Sequence, residues 1–431
     1  MTPPARSCLK IVHKLTSLLD SPEFIATHRQ NACDFTRKRY LTFRNLILFL
    51  LNQPGSALQT ELDQFFRVLN NTPFEKQVVT AQAFSKARRK LKPSALVALN
   101  DVLQNQLDEL GLRSTWCGLR LLGVDGSGVH LPLEQPLENF FGSHSELPVA
   151  RLSMLYDLCD QQTLHGLLIT PDVDERGCAA MHLEYAPDNS LLVFDRGYPA
   201  HWLFAALLQR NQHFLMRLTL KHNPAVRDFV ASGNSEQTLC FACKGWLSRK
   251  VCEQAGVDPD TEVTLRLIRV LLPGGEVEVL ATSLLDTQAF PATEFAGLYH
   301  RRWGIETDYR RLKQTLTLDN FSGRTATAAL QDFHAKLLLK NLAMLMQVLQ
   351  QPRIEQQTRH RKRGWKANFT QGVSRLKNTL VTLLVEPCAH AMECLLTLIR
   401  NSLTAIRPGR SFPRQRRRKA TRGCEGYKRT R

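Results

Sequence analysis

The stretch Pro291–Leu316, PATEFAGLYHRRWGIETDYRRLKQTL, contains the most informative motif of the sequence. Proline is well suited to a first helical position, and no turn dipeptide follows before Asp319-Asn320, so the stretch predicts one long helix. At about 100° per residue, four polar side chains fall within an arc of about 60° on one face of this helix. They are Tyr299, Arg302, Glu306 and Lys313.

One interpretation of this face is an amphipathic surface helix whose charges are only solvated. The spacing Y-x2-R-x3-E-x6-K argues against it, because four residue types at fixed spacings rarely coincide by chance. The spacing resembles the third motif of the DDE transposases of the insertion-sequence-four family. That resemblance implies a ribonuclease-H-like catalytic core in which Glu306 is one of three acidic residues, so two more carboxylates must lie upstream.

Composition and charge narrow the class of protein. The chain has 431 residues, 43% of them hydrophobic, which predicts two to three domains. A formal net charge of +18 predicts a polyanionic partner, most simply nucleic acid. The eleven cysteines are odd in number and irregularly spaced, as in reduced intracellular proteins. No signal-peptide core or membrane span is apparent, so we expect a cytoplasmic, nucleoid-associated protein of bacterial type.

Residues 1–115 alternate apolar and polar groups at helical spacing and predict a helical N-terminal domain. Within it the run A-F-S-K-A-R-R-K-L places Arg88 and Arg89 on a helix, directly before a turn at Lys92-Pro93-Ser94. A basic helix, a turn and a second helix can enter a DNA groove, although a merely positive helical surface explains the pattern equally well. In the resembled family the N-terminal helical domain binds the element ends, which implies DNA contacts by Arg88 and Arg89.

Two short apolar runs in residues 116–220 lead to aspartates. LRLLGVDGSG predicts a strand that ends at Asp125, and the wholly apolar LLVF predicts a buried strand that delivers Asp195 into the sequence D-R-G-Y. The element order in this segment is typical of a ribonuclease-H-like fold. If the first and fourth strands are neighbours, Asp125 and Asp195 meet at one edge of the sheet. The resemblance extends to both motifs.

The predicted fold class is therefore α/β, a ribonuclease-H-like mixed sheet with helices on both sides. Residues 116–220 form its first part and residues 288–350, with the Glu306 helix, its second part. Residues 221–287 carry two β-rich runs joined by Pro273-Gly274-Gly275 and resemble the family's all-β insertion. Cys240-x2-Cys243, with Cys252 and His222 nearby, could indicate zinc, but structural thiols are the favoured interpretation. Trp246 is a candidate for the base-stabilising aromatic of some relatives.

Residues 351–431 predict a helical C-terminal region that ends in a basic disordered tail. A second long helix is expected over Ala326–Leu349, followed by a basic linker over residues 350–366. Between Arg407 and Arg431 there are eleven Lys or Arg residues against one Glu. Such a tail can neutralise DNA phosphates or can simply aid solubility. The predicted phosphate contacts there are Arg416, Arg417 and Arg418.

The three acids together define the predicted chemistry. Asp125, Asp195 and Glu306 would gather negative charge that favours two hard divalent ions, Mg²⁺ or alternatively Mn²⁺. Two such ions can activate a water or a 3′-hydroxyl and stabilise the leaving oxygen of a phosphodiester. In the resembled family the residues matching Tyr299, Arg302 and Lys313 contact the DNA end.

The predicted function is that of an insertion-sequence transposase. It would bind double-stranded DNA at the terminal inverted repeats, cleave it with Mg²⁺ and join the ends to target DNA as a homodimer in the synaptic complex. One alternative is a catalytically inactive, transposase-derived DNA-binding repressor. The other is a ribonuclease-H-like nuclease that cuts without strand transfer.

Overall fold

The computed structural model describes residues 1–37, 39–52, 55, 57–142, 148–220, 223–272, 274–377 and 379–407. The chain forms two compact units. Unit 1 comprises residues 1–113, 128–150 and those from 310 onward, and unit 2 comprises residues 114–127 and 151–309. The finer division into five segments remains a prediction.

Helices occur in both units, and most of them belong to unit 1. In chain order they are α1 (Pro3–Leu19), α2 (Pro22–His28), α3 (Phe43–Leu51), α4 (Leu58–Leu69), α5 (Ala81–Arg88), α6 (Ser94–Glu109), α7 (Gln135–Phe141), α8 (Glu175–His182), α9 (His201–Gln209), α10 (Pro224–Ser232), α11 (Trp246–Gln254), α12 (Ala292–His300), α13 (Trp303–Arg310), α14 (Ala326–Thr358), α15 (Phe369–Leu376), α16 (Thr379–Val385) and α17 (Ala389–Asn401).

The strands are fewer and lie mostly in unit 2. They are β1 (Arg120–His130), β2 (Val149–Asp157), β3 (Gln162–Ile169), β4 (Ser190–Phe194), β5 (His213–Leu218), β6 (Glu236–Phe241), β7 (Val263–Leu271), β8 (Val277–Thr282), β9 (Trp365–Ala367) and β10 (Leu403–Ala405).

The helical N-terminal region predicted from the sequence is confirmed by α1 to α6. Local capping explains several of the helix starts, because a side-chain oxygen accepts a hydrogen bond from an otherwise unpaired backbone N–H. Thr42 accepts from the N–H of Asn45 at the start of α3, and Thr80 accepts from Ala83 at the start of α5. None of the helices in the described part of the chain is both long and apolar enough to cross a membrane.

Helix α14 is longer than the sequence predicted. It continues to Thr358 through Pro352, where a basic linker was expected. Proline removes one helical hydrogen bond and usually disrupts a helix interior. Here the buried face continues past the proline, because Gln350, Ile354 and Thr358 follow one another at intervals of four residues and all are buried. Burial of that face therefore outweighs the local cost of the proline.

An eight-stranded mixed sheet occurs in the order β3-β2-β1-β4-β5-β8-β7-β6. Strands β1, β4 and β5 are parallel, whereas β2 with β3 and β5 with β8 are antiparallel. This arrangement confirms the predicted ribonuclease-H-like mixed sheet. It also confirms that the first and fourth strands are neighbours.

Unit 2 has an apolar core on each face of its sheet, as the period of two along a strand requires. In β4, Leu192 and Phe194 pack in the core that includes α9, while Leu191 and Val193 pack in the core that includes α12. The continuous apolar run of this strand is therefore explained by burial on both sides. Helices cover both faces, as the sequence predicted.

The segment predicted as an all-β insertion contains helices as well. Helix α10 begins at Pro224, is capped by Asn223 and ends at Gly233, whose φ of 76° suits glycine. Helix α11 follows β6. The strands of this segment also extend the main sheet, since β8 pairs with β5. The prediction of an all-β insertion was therefore wrong, because the segment contains α10 and α11, but the predicted hairpin is present as β7–β8.

Candidate active site

Two of the predicted acids lie just beyond the paired residues of two neighbouring parallel strands. The pairing between β1 and β4 runs from Arg120 with Ser190 to Gly123 with Val193. Asp125 and Asp195 each stand two residues beyond that last pair. Asp195 directly follows β4, whereas Asp125 lies within β1, which continues to His130. The prediction that a strand ends at Asp125 was therefore wrong, and only the pairing with β4 ends near it.

Both aspartates are oriented by the backbone that follows them. The N–H of Gly126 donates to Oδ1 of Asp125 (2.9 Å), and the N–H of Gly197 donates to Oδ1 of Asp195 (2.7 Å). Glycine suits these positions because a Cβ on Gly197 would stand 3.1 Å from the Asp195 carboxylate. In each aspartate one carboxylate oxygen is therefore fixed by its own turn.

The third acid is carried by a helix that begins after a tight turn. The single long helix predicted over Pro291–Leu316 is instead α12 followed by α13. The N–H groups of Arg301 and Arg302 bond three residues back, to Leu298 and Tyr299 (3.1 Å each), which breaks the α-helical pattern. Glu306 lies in the first turn of α13, where a carboxylate is favoured by the helix dipole.

Arg302 lies among the acids. Its guanidinium is 3.3 Å from Glu306 and 4.0 Å from Asp125, and the residue is only 7% exposed. The same guanidinium carbon lies 5.8 Å from the centre of the Tyr299 ring. Arg302 Nε is buried without a hydrogen-bond partner in the described part of the chain. The structure thus places Arg302 beside both Tyr299 and Glu306, although the break between α12 and α13 interrupts the predicted helix.

The electrostatics of the site connect all three acids. Burial raises the pKa of Asp125 to about 7. The Gly126 N–H and Arg302 oppose this rise, while the negative charges of Asp195 and Glu306 increase it. A carboxyl group held between like charges binds cations readily, because a cation removes the repulsion. These contributions show that the three predicted acids share one electrostatic environment.

Sequence reasoning missed a fourth acid in this environment. Glu175 begins α8, which is capped by Asp174. A Cβ on Gly126 would lie 3.2 Å from Oε1 of Glu175, and a Cβ on Gly197 would lie 3.7 Å from Oε2. Glu175 therefore lies close to Gly126 and Gly197, which follow the two aspartates predicted to be catalytic. An acidic residue in a first helical turn is common, so the sequence contains no signal that distinguishes Glu175.

The remaining residues of the predicted motif take different positions. Tyr299 is 8% exposed, and burial raises its pKa to about 12, so it is a neutral phenol. Lys313 belongs to unit 1, where its Nζ donates to the carbonyl oxygen of Gly128 (2.6 Å). DNA contacts by these two side chains remain predictions.

The two arginines of the N-terminal region that were predicted to contact DNA differ in solvent exposure. Arg88 is 4% exposed, and its guanidinium donates to Gln331 and Asp332 of α14. This burial contradicts the prediction that Arg88 contacts DNA. Arg89, the next residue, is exposed. The tail residues Arg416, Arg417 and Arg418 lie outside the described residues.

A basic groove in unit 1 is lined by Lys90, the residue that follows Arg89. Its volume is about 770 Å³, and it lies between α5 and the segment that precedes α3. Tyr40 lines it and is 64% exposed, while Lys90 pairs with the buried Asp34 at 3.4 Å. The cationic side chains that line this groove are Arg37, Arg39, Lys86 and Lys90.

Metal-ligand geometry is incomplete in the structure as it stands. Within the described ranges, no three His, Cys, Asp or Glu side chains are close enough to hold a metal ion together. At the acidic site Arg302 takes a position between carboxylates. In the cysteine-rich segment, Cys243 Sγ lies 3.8 Å from Cys252 Sγ, and Cys240 donates to Glu262. His222, considered with these cysteines, lies outside the described residues.

Comparisons with known proteins identify the family of the chain. Residues 120–342 match the family model described as transposase DDE domain. The chain is 25% identical over 386 residues to "Transposase InsG for insertion sequence element IS4" of Escherichia coli K12, over 86% of this chain and 84% of that protein. It is 26% identical over 149 residues to "Putative transposase InsZ" of the same organism, over 32% of this chain and 50% of that protein.

Among solved structures, the chain is similar to the piggyBac transposase in its synaptic complex with hairpin DNA. The sequence identity is 11% and the TM-score 0.42, over 93% of this chain and 87% of that one. The family match is more informative, because it spans more than half of the chain and includes Asp125, Asp195 and Glu306. The chain therefore belongs to the DDE transposase family, of the insertion-sequence-four type, whose members are DNA-cleaving phosphoryl-transfer enzymes.

Proposed function

We propose that this transposase binds the terminal inverted repeats of its own insertion sequence, cleaves the donor DNA there and joins the freed 3′ ends to target DNA. The observation that carries this proposal is the shared environment of Asp125, Asp195 and Glu306 around Arg302. A basic groove in unit 1 and the family match support it.

The donor set suits Mg²⁺, with Mn²⁺ as a substitute, because carboxylate oxygens are the hard ligands that these ions prefer. Asp125, Asp195 and Glu306 are the residues proposed to hold two ions. When bound, the ions supply activation of the attacking hydroxyl and neutralisation of charge on the leaving oxygen. Side-chain movement must accompany their binding, since Arg302 now pairs with two of the carboxylates.

Arg302 has a defined part in this proposal. In the metal-free protein its positive charge offsets the repulsion between Asp125 and Glu306. A guanidinium also matches the geometry of a phosphate, with two parallel donors. We propose that Arg302 moves from the carboxylates to a phosphate beside the scissile bond when DNA binds, while Tyr299 packs beneath it. A contact with DNA is also proposed for Lys313.

Binding of the element ends is proposed for the groove in unit 1. Its four cations can neutralise phosphates, and the exposed ring of Tyr40 can stack on or pack against the nucleic acid. Arg89 extends this surface, and Arg416, Arg417 and Arg418 of the tail add charge without reading sequence. A synaptic complex holds two ends, so we propose a homodimer on DNA, acting on bacterial DNA in the cytoplasm.

The decisive experiment uses the purified full chain and a DNA fragment that contains one element end. Asp125→Asn, Asp195→Asn and Glu306→Gln should each lower Mg²⁺-dependent cleavage by more than about 1,000-fold, while binding of the fragment stays within a few-fold. Cleavage at the wild-type rate by any one variant would remove that residue from the site.

A pre-cut element end separates the proposal from its two alternatives. Wild-type protein should join its 3′ end to plasmid DNA. A nuclease without strand transfer would cleave the intact end and yield no joined product. An inactive repressor would bind the end and yield neither product.

A further inference from the structure

The main-chain carbonyl of Asp125 is held by side chains from two other elements of unit 2. The hydroxyl of Tyr309, on α13, donates to it at 2.5 Å, and the hydroxyl of Ser153, on β2, donates to it at 3.3 Å. Asp125 lies beyond the part of β1 that is registered with β4. Side-chain hydroxyls therefore fix the peptide group of a catalytic residue.

The position of Tyr309 in the sequence gives its hydrogen bond a second effect. Tyr309 follows Glu306 by three residues on α13, and residues three apart lie on one face of a helix. Its hydroxyl reaches the strand that carries Asp125. One hydrogen bond thus connects the backbone of one predicted catalytic acid with the helix that carries another.

Ser153 is oriented by two histidines, of which His182 is fully buried and His165 is half-buried. His182 Nε2 lies 2.9 Å from Ser153 Oγ, and His182 Nδ1 lies 2.9 Å from His165 Nδ1. Because the Ser153 hydroxyl donates its hydrogen bond to the Asp125 carbonyl, its oxygen must accept a hydrogen bond from the N–H at His182 Nε2. A singly protonated His182 then has only an acceptor at Nδ1, so His165 Nδ1 donates. In this series of hydrogen bonds, His165 therefore donates to His182, His182 donates to Ser153, and Ser153 donates to the carbonyl of Asp125.

Most members of this series of hydrogen bonds are buried, which restricts their movement. Ser153 and His182 are fully buried, and Tyr309 is 6% exposed. His165 stacks on the ring of Tyr185 with centroids 3.6 Å apart. The groups come from four different elements, β2, β3, α8 and α13. Buried hydrogen bonds in a low dielectric hold their partners more firmly than exposed ones.

We propose that Tyr309 and Ser153 are positioning residues for the DNA-cleaving reaction. Tyr309 sets the separation between the strand of Asp125 and the helix of Glu306, and Ser153, directed by His182 and His165, sets the orientation of the Asp125 peptide. This inference rests on the proposed metal-holding role of Asp125 and Glu306. Neighbours that orient metal ligands typically contribute 10- to 100-fold to metal affinity or activity.

The test compares full-length variants that each lose only one hydroxyl. Tyr309→Phe and Ser153→Ala remove the two donors, and Tyr185→Phe is the matched control, since its ring stacks on His165 and its residue is 43% exposed. Mn²⁺ binding is measured by the electron paramagnetic resonance signal of free Mn²⁺, independently of activity. Melting temperature, affinity for an element-end fragment and Mg²⁺-dependent cleavage are measured in parallel.

Tyr309→Phe should weaken Mn²⁺ binding about 10-fold or more and slow cleavage by about 10- to 100-fold, with DNA affinity and melting temperature close to wild type. Ser153→Ala should act in the same direction with a smaller effect, and it remains informative if Tyr309→Phe folds poorly. Tyr185→Phe should match the wild type. A merely structural role would lower the melting temperature without shifting the Mn²⁺ dependence, and that result would overturn the inference.

Asp125→Asn in the same assays separates this inference from the proposed function. If Asp125→Asn binds Mn²⁺ and cleaves like the wild type, the proposed role of Asp125 fails. If Asp125→Asn is inactive while Tyr309→Phe and Ser153→Ala behave like the wild type, only the positioning inference fails.

Discussion

Arg88 in unit 1 and Arg302 in unit 2 are both buried arginines beside carboxylates, yet their surroundings differ. Every nitrogen of the Arg88 guanidinium has an acceptor: Nε donates to Gln331 (2.9 Å), one terminal nitrogen to Ser322 (2.8 Å) and the other to Asp332 (2.9 Å). Arg302 is 3.3 Å from Glu306 and 4.0 Å from Asp125, and its Nε has no partner among the described residues.

The carboxylates respond differently to the two arginines. The pKa of Asp332 is lowered, because Arg88, Lys336 and the groups of Ser322 together outweigh the effect of burial. Burial raises the pKa of Asp125 to about 7, and the charges of Asp195 and Glu306 add to this rise, because Arg302 and the Gly126 N–H counter it only in part. A saturated buried network stabilises the fold, whereas an unsaturated one retains the capacity to bind a further cation.

Replacing Arg88 tests whether its hydrogen-bonded network stabilises the fold, and it should have the largest effect of the substitutions considered. Arg88→Ala leaves Asp332 as a buried carboxylate without its main partner, and breaking a buried pair costs about 3–5 kcal/mol. The free energy of unfolding, measured by urea denaturation, should fall by about that amount. Arg89→Ala, on the exposed neighbour, should change it by less than about 0.5 kcal/mol.

Replacing Arg302 tests the functional side. Arg302→Gln should slow Mg²⁺-dependent cleavage by about 10²- to 10³-fold, the loss typical of one donor to a developing charge. The free energy of unfolding should change much less than in Arg88→Ala, because no saturated network is lost. A destabilisation as large as that of Arg88→Ala would erase the distinction between the two arginines.

His165 and His182, which lead to Ser153, form a third hydrogen-bonded network, and its members are uncharged at neutral pH. Burial lowers the pKa of His165 to about 4 and that of His182 well below 6.5. The unfolded chain therefore binds more protons between about pH 6.5 and 4, and stability present above pH 6.5 is lost as the pH falls through that window. At about 1.4 kcal/mol per pKa unit, the loss for His165 is on the order of 3 kcal/mol.

Urea titrations at several pH values measure this loss. His165→Gln should flatten the acid limb of the stability curve relative to the wild type, since the substituted side chain does not titrate there. An unchanged acid limb would assign the pH dependence to other groups.

Replacing Arg89 should have the smallest effect. An exposed cation beside the basic groove contributes mainly to phosphate binding, so Arg89→Ala should reduce the salt slope of DNA affinity by about 0.9 and weaken binding by only a few-fold. Arg6→Ala, at an exposed position on α1, changes the net charge equally and serves as the control. Equal effects of the two variants would mean that total charge, rather than the groove, determines affinity.

Much of unit 2 was accessible from local sequence pattern. The apolar run of β4 predicted burial on both faces, and the spacing of Tyr299, Arg302 and Glu306 predicted a shared face. Both follow from short-range geometry. The break between α12 and α13 was missed because it involves three-residue backbone bonds that no turn dipeptide announces.

Long-range contacts account for the remaining differences. Arg88 and Arg89 are adjacent basic residues with the same helical propensity, and only contact with α14, more than 230 residues away, makes one of them structural. The same limit applies to Glu175 and Tyr309, whose roles depend on neighbours from distant parts of the chain. Local pattern can identify candidate charges but cannot show which of them will be neutralised by the fold.

The backbone ladder between β5 and β8 has a mechanical consequence. Four successive residue pairs, from Leu215–Thr282 to Leu218–Val279, join the segment before α12 to the central strands. The hairpin β7–β8 is connected through β5 to β4, and Asp195 directly follows β4. A displacement of the hairpin would therefore be transmitted through backbone hydrogen bonds to the strand that leads to Asp195.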